Sequence, residues 1–331
     1  SEDMTINDIA ELCGLSKSTV SRYLTGGSVS KKSSAIIARV IEETGFELNV
    51  NASRLRGSGS KLVGVLVDGI QAPSVTHMLT GINERLQGLG YQPFIMIDRH
   101  DEDNKVRSMQ ALVRQGVDGL VFGTARLTDE HVGYMRELSI PVLVVGQESE
   151  SFPFVKVNDL EAGRIVGEHV LEARPSSVVY LSLPRYDAAA GVERERGFRD
   201  AFNGVTARVT YIEGDYATEA GYALGPQILE ADPDFVVCAS DSMAYGAMRY
   251  LMEQGLCIPQ DVRMASFGNF DADSLPQVSL TSFGFDYHAL GRDAAGRIVD
   301  LIAGKEVSWS NTGYAMELHV RRSSGEVAAE A

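Results

Sequence analysis

The stretch DIAELCGLSKSTVSRYL contains two short helical patterns that meet at Gly14. On the second pattern, a face that packing does not require carries Lys17, Ser18, Ser21 and Arg22. Lys and Arg side chains can donate to guanine O6 and N7, and hydroxyl groups suit phosphates or base edges. A helix, a turn and a second helix form the arrangement that places its second helix in the major groove of DNA. Since ordinary solvated residues would give the same pattern, this stretch alone leaves both interpretations open.

The charge of the chain is unevenly distributed. The 331 residues carry a formal net charge of -15 at pH 7, yet residues 1–61 contain eight basic and seven acidic residues. Residues 62–331 contain 22 basic and 38 acidic residues, so all the excess acidity belongs to them. Because an acidic surface repels phosphates, any contact with DNA must come from the first segment.

Residues 1–46 are predicted to form a domain of three helices around one small core. Ser16 and Ser30 are the expected N-caps of the second and third helices, Thr5 begins a sequence like a capping box, and Gly45 ends the third helix. Apolar residues recur at helical spacing in each pattern. The expected buried positions are Ile9, Ala10, Leu12, Val20, Leu24, Ile36, Ile37, Val40 and Ile41.

Residues 47–60 are predicted to be a hinge helix followed by a linker. Two helical turns fit between Asn49 as N-cap and Gly57 as stop, and Gly and Ser follow. A two-turn helix is marginal in water by itself. We therefore expect residues 49–56 to become helical only when they bind DNA.

Residues 61–331 alternate short apolar runs with amphipathic windows such as MLTGINERLQGLG. This alternation predicts an α/β core of parallel sheets with helices on both faces, and the length of the segment indicates two lobes. Open sheets of this kind bind ligands at the carboxyl ends of their strands. The sequence contains no GxGxxG and no GxxxxGK[ST], so no cofactor is indicated. The predicted strands are 62–67, 93–97, 119–123, 141–146, 178–183, 208–214, 235–240 and 263–268.

Several other classes of protein are disfavoured by the sequence. No apolar run reaches the roughly 18 to 20 residues of a membrane helix, and the polar N-terminus does not resemble a secretory leader, so we expect a cytoplasmic protein. Cys13, Cys238 and Cys257 lie far apart and form no CxxC pair. Neither a disulfide framework nor a metal site is therefore expected.

Several segments resemble the LacI/GalR family of bacterial transcription regulators. TINDIAELCGLSKSTVSRYLTGG and IEETGFELNVNASRLR are similar to the helix-turn-helix and hinge of that family. The similarity continues to about residue 322 through KLVGVLV, VDGLVFG, DAAAGVERERGF, ASDSMAYGAM and LTSFGFDYHALGRDAAGRIVDLI. The resemblance implies a two-lobed core like that of periplasmic sugar-binding proteins. It also implies a homodimeric regulator, of the repressor type, that binds a near-palindromic operator under the control of a small sugar.

The resemblance assigns DNA contacts to the helix-turn-helix and the hinge. Lys17, Ser18 and Arg22 are expected to read bases, and Leu55 matches the leucine that such regulators insert into the minor groove. Leu48 departs from the family, because many members have a proline before the hinge. The expected phosphate contacts are Thr5, Ser16, Thr19 and Ser21, and the other hinge contacts are Asn49, Ala52 and Arg54.

The resemblance also assigns an effector site to the core. DAAAGVERERGF places Asp187 and Arg194 where family members bind sugar hydroxyls, and Tyr216 stands where an aromatic ring stacks on a pyranose. Without the resemblance, Arg194 would be interpreted as an exposed helix residue beside Glu193 and Glu195. The other expected effector contacts are Gln71, Ser74, Gln147, Ser240, Asp241, Asn269 and Phe285.

Two departures from the family pattern bear on which sugar is bound. Gly268 and Asn269 stand where many members carry a sugar-binding aspartate, so a different set of hydroxyls is expected. The core is most similar to disaccharide-sensing members such as the trehalose repressor, but Gln147 stands where that phosphosugar sensor has an arginine. We therefore expect an unphosphorylated sugar, with Arg185 as the alternative partner for a phosphate.

Two other functions remain open on the sequence. A sugar-binding protein of the transport type would share the core, but it would need a signal peptide and would lack the first 60 residues. A hydrolase could combine His77, His169, Ser240 and Asp241, but the sequence contains no GxSxG elbow. We therefore do not expect enzymatic activity.

Overall fold

The computed structural model describes residues 6–24, 27–44, 59–98, 102–270 and 278–325. The chain forms two compact units, Ser1–Ser60 and Lys61–Ala331. The predicted helix at residues 49–56 and the helix stop at Gly45 lie outside the described residues, as does the expected cap at Thr5. The same is true of four expected hinge contacts, which are Asn49, Ala52, Arg54 and Leu55.

The first unit contains the three predicted helices, which are α1 (Ile6–Cys13), α2 (Lys17–Leu24) and α3 (Lys31–Thr44). Gly14 joins α1 to α2 with a φ of +61°, a left-handed conformation that glycine adopts at little cost. The two predicted caps are confirmed. The Thr19 backbone N–H donates to Ser16 Oγ at 3.2 Å, and the Ser33 N–H donates to Ser30 Oγ at 3.1 Å.

The small core of the first unit follows the predicted apolar pattern with one correction. Ile9, Val20 and Ile37 are completely buried. Leu12 was expected to be buried but is 58% exposed, and its neighbour Cys13 is buried in its place. In an eight-residue helix one apolar face spans about a third of the circumference, and position 12 lies outside it.

The second unit alternates strands and helices along the chain, as predicted. In chain order its elements are β1 (Leu62–Val67), α4 (Pro73–Gly88), β2 (Gln92–Ile97), α5 (Glu102–Arg114), β3 (Gly119–Gly123), α6 (Asp129–Arg136), β4 (Val142–Val145), β5 (Phe154–Val155), α7 (Asp159–Glu172), β6 (Ser177–Ser182), a π-helix (Ala188–Glu193), α8 (Arg194–Ala201), β7 (Arg208–Glu213), α9 (Thr218–Ala223), α10 (Gly225–Glu230), β8 (Phe235–Cys238), α11 (Asp241–Glu253), β9 (Arg263–Gly268), β10 (Thr281–Phe285), α12 (Tyr287–Ile302), β11 (Ser310–Asn311) and β12 (Met316–His319).

Two six-stranded sheets form the two predicted lobes. The first sheet has the order β11-β5-β4-β3-β1-β2, and all its pairs are parallel. The second has the order β12-β10-β9-β8-β6-β7, with one antiparallel pair between β10 and β12. The chain passes between the sheets three times, after β5, after β10 and after β11. Three connections therefore join the lobes, and α12 returns to pack on α4 of the first lobe.

All eight predicted strands are confirmed, but four further strands, β5, β10, β11 and β12, were not predicted. β5 and β11 have only two residues each, which is too short for any periodicity to show. Among the described residues, no helix is long and apolar enough to span a bilayer.

Candidate functional site

A cavity of about 710 Å³ lies between the two lobes of the second unit. Its wall includes Asp68 after β1, Thr124 after β3, Gln147 after β4 and Ser240 after β8. These residues converge because parallel strands present their carboxyl ends at the same edge of a sheet. Nine of the ten expected effector residues line this cavity, namely Gln71, Ser74, Gln147, Asp187, Arg194, Tyr216, Ser240, Asp241 and Phe285.

Arg194 is the basic residue of the wall and is only 4% exposed. Its Nε and Nη2 donate to Asp159 Oδ1 at 2.9 and 2.6 Å, and its Nη1 donates to the Ala239 carbonyl at 2.6 Å. The guanidinium carbon also lies 4.8 Å from the centre of the Phe267 ring and 5.3 Å from that of Phe285. The interpretation of Arg194 as an exposed helix residue is therefore wrong.

Close packing of α7 against α8 brings Arg194 to Asp159. A Cβ atom on Gly163 would lie 2.0 Å from the Arg194 carbonyl oxygen, and one on Gly197 would lie 1.9 Å from that of Leu160. Any larger residue at either position would force the helices apart. The two glycines thus allow the first residues of α7 and α8, which carry the ion pair, to meet.

Asp187 connects the two lobes through hydrogen bonds. Its Oδ1 accepts from Gln147 Nε2 at 3.0 Å and from the Ala190 backbone N–H at 2.9 Å, and its Oδ2 accepts from the Tyr216 hydroxyl at 2.9 Å. Gln147 belongs to the first lobe and also donates to the Ala125 carbonyl at 2.9 Å. Burial raises the pKa of the Asp187 carboxyl group.

Asp241 is a second buried carboxylate on the wall. Its Oδ1 accepts from Ser266 Oγ and Ser282 Oγ, both at 2.5 Å, and its Oδ2 accepts from the Phe270 backbone N–H at 3.2 Å. Burial raises the pKa of this carboxyl group, while the hydrogen bonds oppose the increase. Ser240 precedes it and caps α11, because its Oγ accepts from the Met243 N–H at 3.3 Å.

Asn269 is the one expected effector residue that does not line the cavity. Its Oδ1 accepts from Arg321 Nη2 at 2.6 Å, and its backbone has a φ of +56°. This left-handed conformation turns the side chain away, while its neighbours Gly268 and Phe270 do reach the wall. We therefore correct the expectation that Asn269 is a contact residue of this cavity.

Sequence reasoning missed several residues of the wall. Asp68 and Thr124 directly follow apolar strands, so the rule that open sheets bind ligands at the carboxyl ends of their strands could have identified them. Asp159 had no local signal, since its burial depends on its pairing with Arg194. Arg185, the expected alternative for a phosphate, is absent from the wall and donates to Glu195 Oε1 at 3.1 Å.

The expected base-reading residues lie on α2 of the first unit. Lys17, Ser18 and Arg22 are exposed. Ser16 Oγ lies 2.9 Å from Ser18 Oγ and 2.8 Å from Thr19 Oγ1, so these hydroxyls form a small hydrogen-bonded group at the start of the helix. Ser21 is half-buried on the same helix. Basic and hydroxyl groups, which are types that can contact DNA, thus share one short helix.

The residues of the hydrolase alternative are engaged elsewhere. His169 Nε2 lies 2.7 Å from Ser324 Oγ, and the His77 ring lies 5.2 Å from the Phe270 ring in an edge-to-face contact. Ser240 and Asp241 have the capping and hydrogen-bonding roles described above. These contacts do not form a nucleophile, base and acid relay.

Two family models match the chain. Residues 60–316 match the periplasmic binding proteins and sugar binding domain of the LacI family, and residues 5–49 match the bacterial regulatory proteins of the lacI family. The chain belongs to the LacI family. This LacI-family protein is therefore a DNA-binding transcription regulator with a sugar-binding core.

Individual relatives match the protein over most of its length. It is 24% identical to the sucrose operon repressor of Staphylococcus xylosus, covering 90% of this chain and 93% of the relative. It is 27% identical to the transcriptional regulator TreR of Salmonella typhimurium, covering 91% and 95%. The structure of the Lac repressor dimer bound to operator and the anti-inducer ONPF superposes with a TM-score of 0.85 at 23% identity, covering 98% and 99%.

We expect Arg194→Ala to lower the free energy of unfolding by about 3 to 5 kcal/mol, because it leaves the buried Asp159 carboxylate without its cation. Urea denaturation measures the change, and the double variant Arg194→Ala/Asp159→Ala should recover part of it. The matched control is Arg249→Ala, because Arg249 pairs with Glu253 on the surface and should matter little. Equal losses in the two single variants would contradict the assignment.

Proposed function

We propose that this LacI-family protein is a homodimeric repressor whose affinity for a near-palindromic operator is controlled by an unphosphorylated sugar bound between its core lobes. The observation that carries the proposal is the cavity itself, where a buried arginine and two buried carboxylates, Asp187 and Asp241, meet aromatic rings. A polyhydroxylated ring needs such charged donors and acceptors together with apolar faces. Acting on operator DNA also implies a cytoplasmic protein, and the proposed role requires no catalytic step.

The charge of the cavity wall favours a neutral sugar. Among the described residues of the wall, the acidic side chains are Asp68, Asp159, Asp187, Asp215, Glu219 and Asp241. Arg194 is the single Lys or Arg among the described residues of the wall, and Asp159 already balances its charge. A phosphate group would meet a net negative surface with no uncompensated cation. The cavity volume lies within the range of about 300 to 1,000 Å³ that is typical of small-molecule sites.

The hydrogen bonds around Asp187 suggest how a sugar would act on DNA binding. Gln147 and Tyr216 both bond to this carboxylate, and Gln147 does so from the opposite lobe. A sugar hydroxyl that bonds to Asp187 or Gln147 changes the balance of contacts between the lobes. Regulation requires that the sugar bind one arrangement of the protein better than another, and a contact shared by both lobes provides such a difference.

The edge of the first sheet supports the proposed dimer. β2 is the last strand of its sheet, and its Phe94, Ile95 and Ile97 side chains are 37%, 42% and 45% exposed. An apolar strand at a sheet edge is a site where another chain can add contacts, and a second copy of the protein is the occupant we propose. A dimer also agrees with a helix-turn-helix, since each such unit reads one half of a palindrome.

The direct test of the function is a gel-shift with the purified protein and the DNA upstream of its own gene. We expect a discrete complex that one sugar among sucrose, trehalose and cellobiose weakens or strengthens. Absence of a complex under all these conditions would contradict the proposed function.

For the effector site, we expect Arg194→Lys to weaken sugar binding by about 10- to 100-fold, the usual range for a charged hydrogen bond. Lysine retains a cation for Asp159 but loses the planar donors of the guanidinium. Calorimetry with the sugar that binds measures the loss, and Arg249→Lys on the surface is the control. Operator affinity without sugar should remain unchanged, because α2 belongs to the other unit. Unchanged sugar affinity would exclude Arg194 from the site.

For the DNA contacts, Lys17→Ala and Arg22→Ala should each weaken operator binding by about 5- to 150-fold, since a good base contact is worth about 1 to 3 kcal/mol. Fluorescence anisotropy with the labelled operator measures the affinity. Arg39→Ala is the control, because Arg39 is an exposed arginine of the same unit that lies on α3 beside Glu43. Similar losses in all three variants would indicate only a general effect of charge.

For the dimer, we expect Ile95→Glu to shift the protein from dimer toward monomer, because a buried carboxylate at the interface would repel its symmetry mate. Sedimentation velocity at micromolar concentration reports the mass. Val205→Glu, at an apolar position 41% exposed on the second lobe, is the control. A wild-type monomer, or an unaffected dimer in the Ile95 variant, would place the interface elsewhere.

A further inference from the structure

Lys105 is completely buried beneath the cavity wall. It lies near the start of α5 and is 0% exposed. Its Nζ lies 2.8 Å from Asp68 Oδ1 and donates to Thr124 Oγ1 at 3.0 Å. Asp68 and Thr124 both line the cavity, whereas Lys105 does not. A lysine that does not line the cavity thus contacts two residues that line it.

The Asp68 carboxylate contacts the protein through both oxygens, by an ion pair at Oδ1 and by hydrogen bonding at Oδ2. Lys105 contacts Oδ1, and the Ala125 backbone N–H donates to Oδ2 at 2.6 Å. Thr124 Oγ1 stands 3.3 Å from Oδ2 but donates over a shorter distance, 2.8 Å, to the Arg126 carbonyl. Asp68 also lines the cavity, so its carboxylate stands where it can accept a hydrogen bond from a ligand hydroxyl.

A purely structural role explains this pair poorly. Burying a lysine and an aspartate together costs the hydration of both charges, and apolar residues of similar size often stabilise a protein at least as well. α5 is also attached to the sheet without Lys105, because Ser108 Oγ and Asn104 Nδ2 both donate to Asp98 after β2. The position of the pair at the wall offers a functional reason for it.

We propose that Lys105 is a positioning residue of the effector site, which holds the Asp68 carboxylate in place to accept one hydroxyl of the sugar without itself touching the sugar. This inference rests on the proposed sugar-binding function. It assigns Asp68 to the first lobe's share of sugar recognition, opposite the Arg194, Asp187 and Asp241 groups of the second lobe. Recognition of that one hydroxyl then depends on a residue outside the cavity.

The test is a double-mutant cycle measured by calorimetry on the full chain, with whichever of sucrose, trehalose and cellobiose binds the wild type. Lys105→Met and Asp68→Asn should each weaken binding by about tenfold. The double variant should lose little more than either single variant, because both changes remove the same interaction. Losses that multiply in the double variant, or a Lys105→Met variant that binds like the wild type, would overturn the proposal.

Monodeoxy derivatives of the same sugar separate a positioning role from a structural one. One derivative should bind the wild type about tenfold more weakly than the parent sugar, and Lys105→Met and Asp68→Asn should no longer distinguish that derivative from the parent. The matched control is Lys156→Met, because Lys156 is also buried, at 3% exposure, but pairs with Glu193 away from the wall. Lys156→Met should still bind the derivative more weakly than the parent sugar. If Lys156→Met also bound the two sugars equally, the proposal would be overturned.

Two further outcomes are distinguishable. A wild-type protein that binds none of these sugars would contradict the proposed function and this inference together. If the wild type binds a sugar and Lys105→Met still binds the monodeoxy derivative more weakly than the parent sugar, the inference alone is overturned. If Lys105→Met does not fold, Lys105→Gln retains a polar group in the same place. Equal binding of the derivative and the parent sugar by that variant would support the positioning role in the same way.

Discussion

A guanidinium that is almost completely buried must be paired, and Arg194 meets this requirement through Asp159. The pair can form only because glycines let α7 and α8 approach closely, so packing and charge depend on each other here. The same guanidinium lies over two aromatic rings that face the cavity. One interaction thus determines where the helices of the second lobe meet, where the cation stands and which rings surround it.

Other parts of the cavity wall follow the same principle, because several of its polar groups are held by neighbouring groups of the protein. Asp187, Gln147 and the Ala125 carbonyl form a chain of hydrogen bonds that runs from one lobe to the other. The N–H of Ala125 donates to Asp68, and Asp68 in turn forms an ion pair with Lys105. Side chains already held in place lose little freedom on binding, which favours affinity and specificity for a particular set of hydroxyls.

The two units of the chain differ in net charge. The first unit, with its nearly balanced charge, can approach the phosphates of DNA through α2. The second carries nearly all the excess negative charge and lines its cavity with carboxylates, which suits a neutral polyhydroxylated ligand. Separation of the two functions into different units lets each have the charge that its own ligand requires.

Much of this protein could be predicted from local sequence. Apolar runs located eight strands, and the caps at Ser16 and Ser30 depend on residues only three positions away. The family resemblance assigned nine residues that line the cavity, and some of them, such as Gln147 and Ser240, lie just beyond the carboxyl ends of parallel strands. Such features are determined within a few residues of the chain, so the sequence by itself was sufficient for them.

Only the tertiary structure decided which side chains and strands pair with each other. Arg194 meets Asp159 across 35 residues of sequence, and Lys105 meets Asp68 across 37, so no local periodicity could reveal either pair. Asn269 follows a correctly predicted strand, but its backbone conformation and its bond to Arg321 turn it out of the cavity. The two-residue strands β5 and β11 exist only because they pair with each other and with β4. In each case the deciding contact joins segments that only the packed fold brings together.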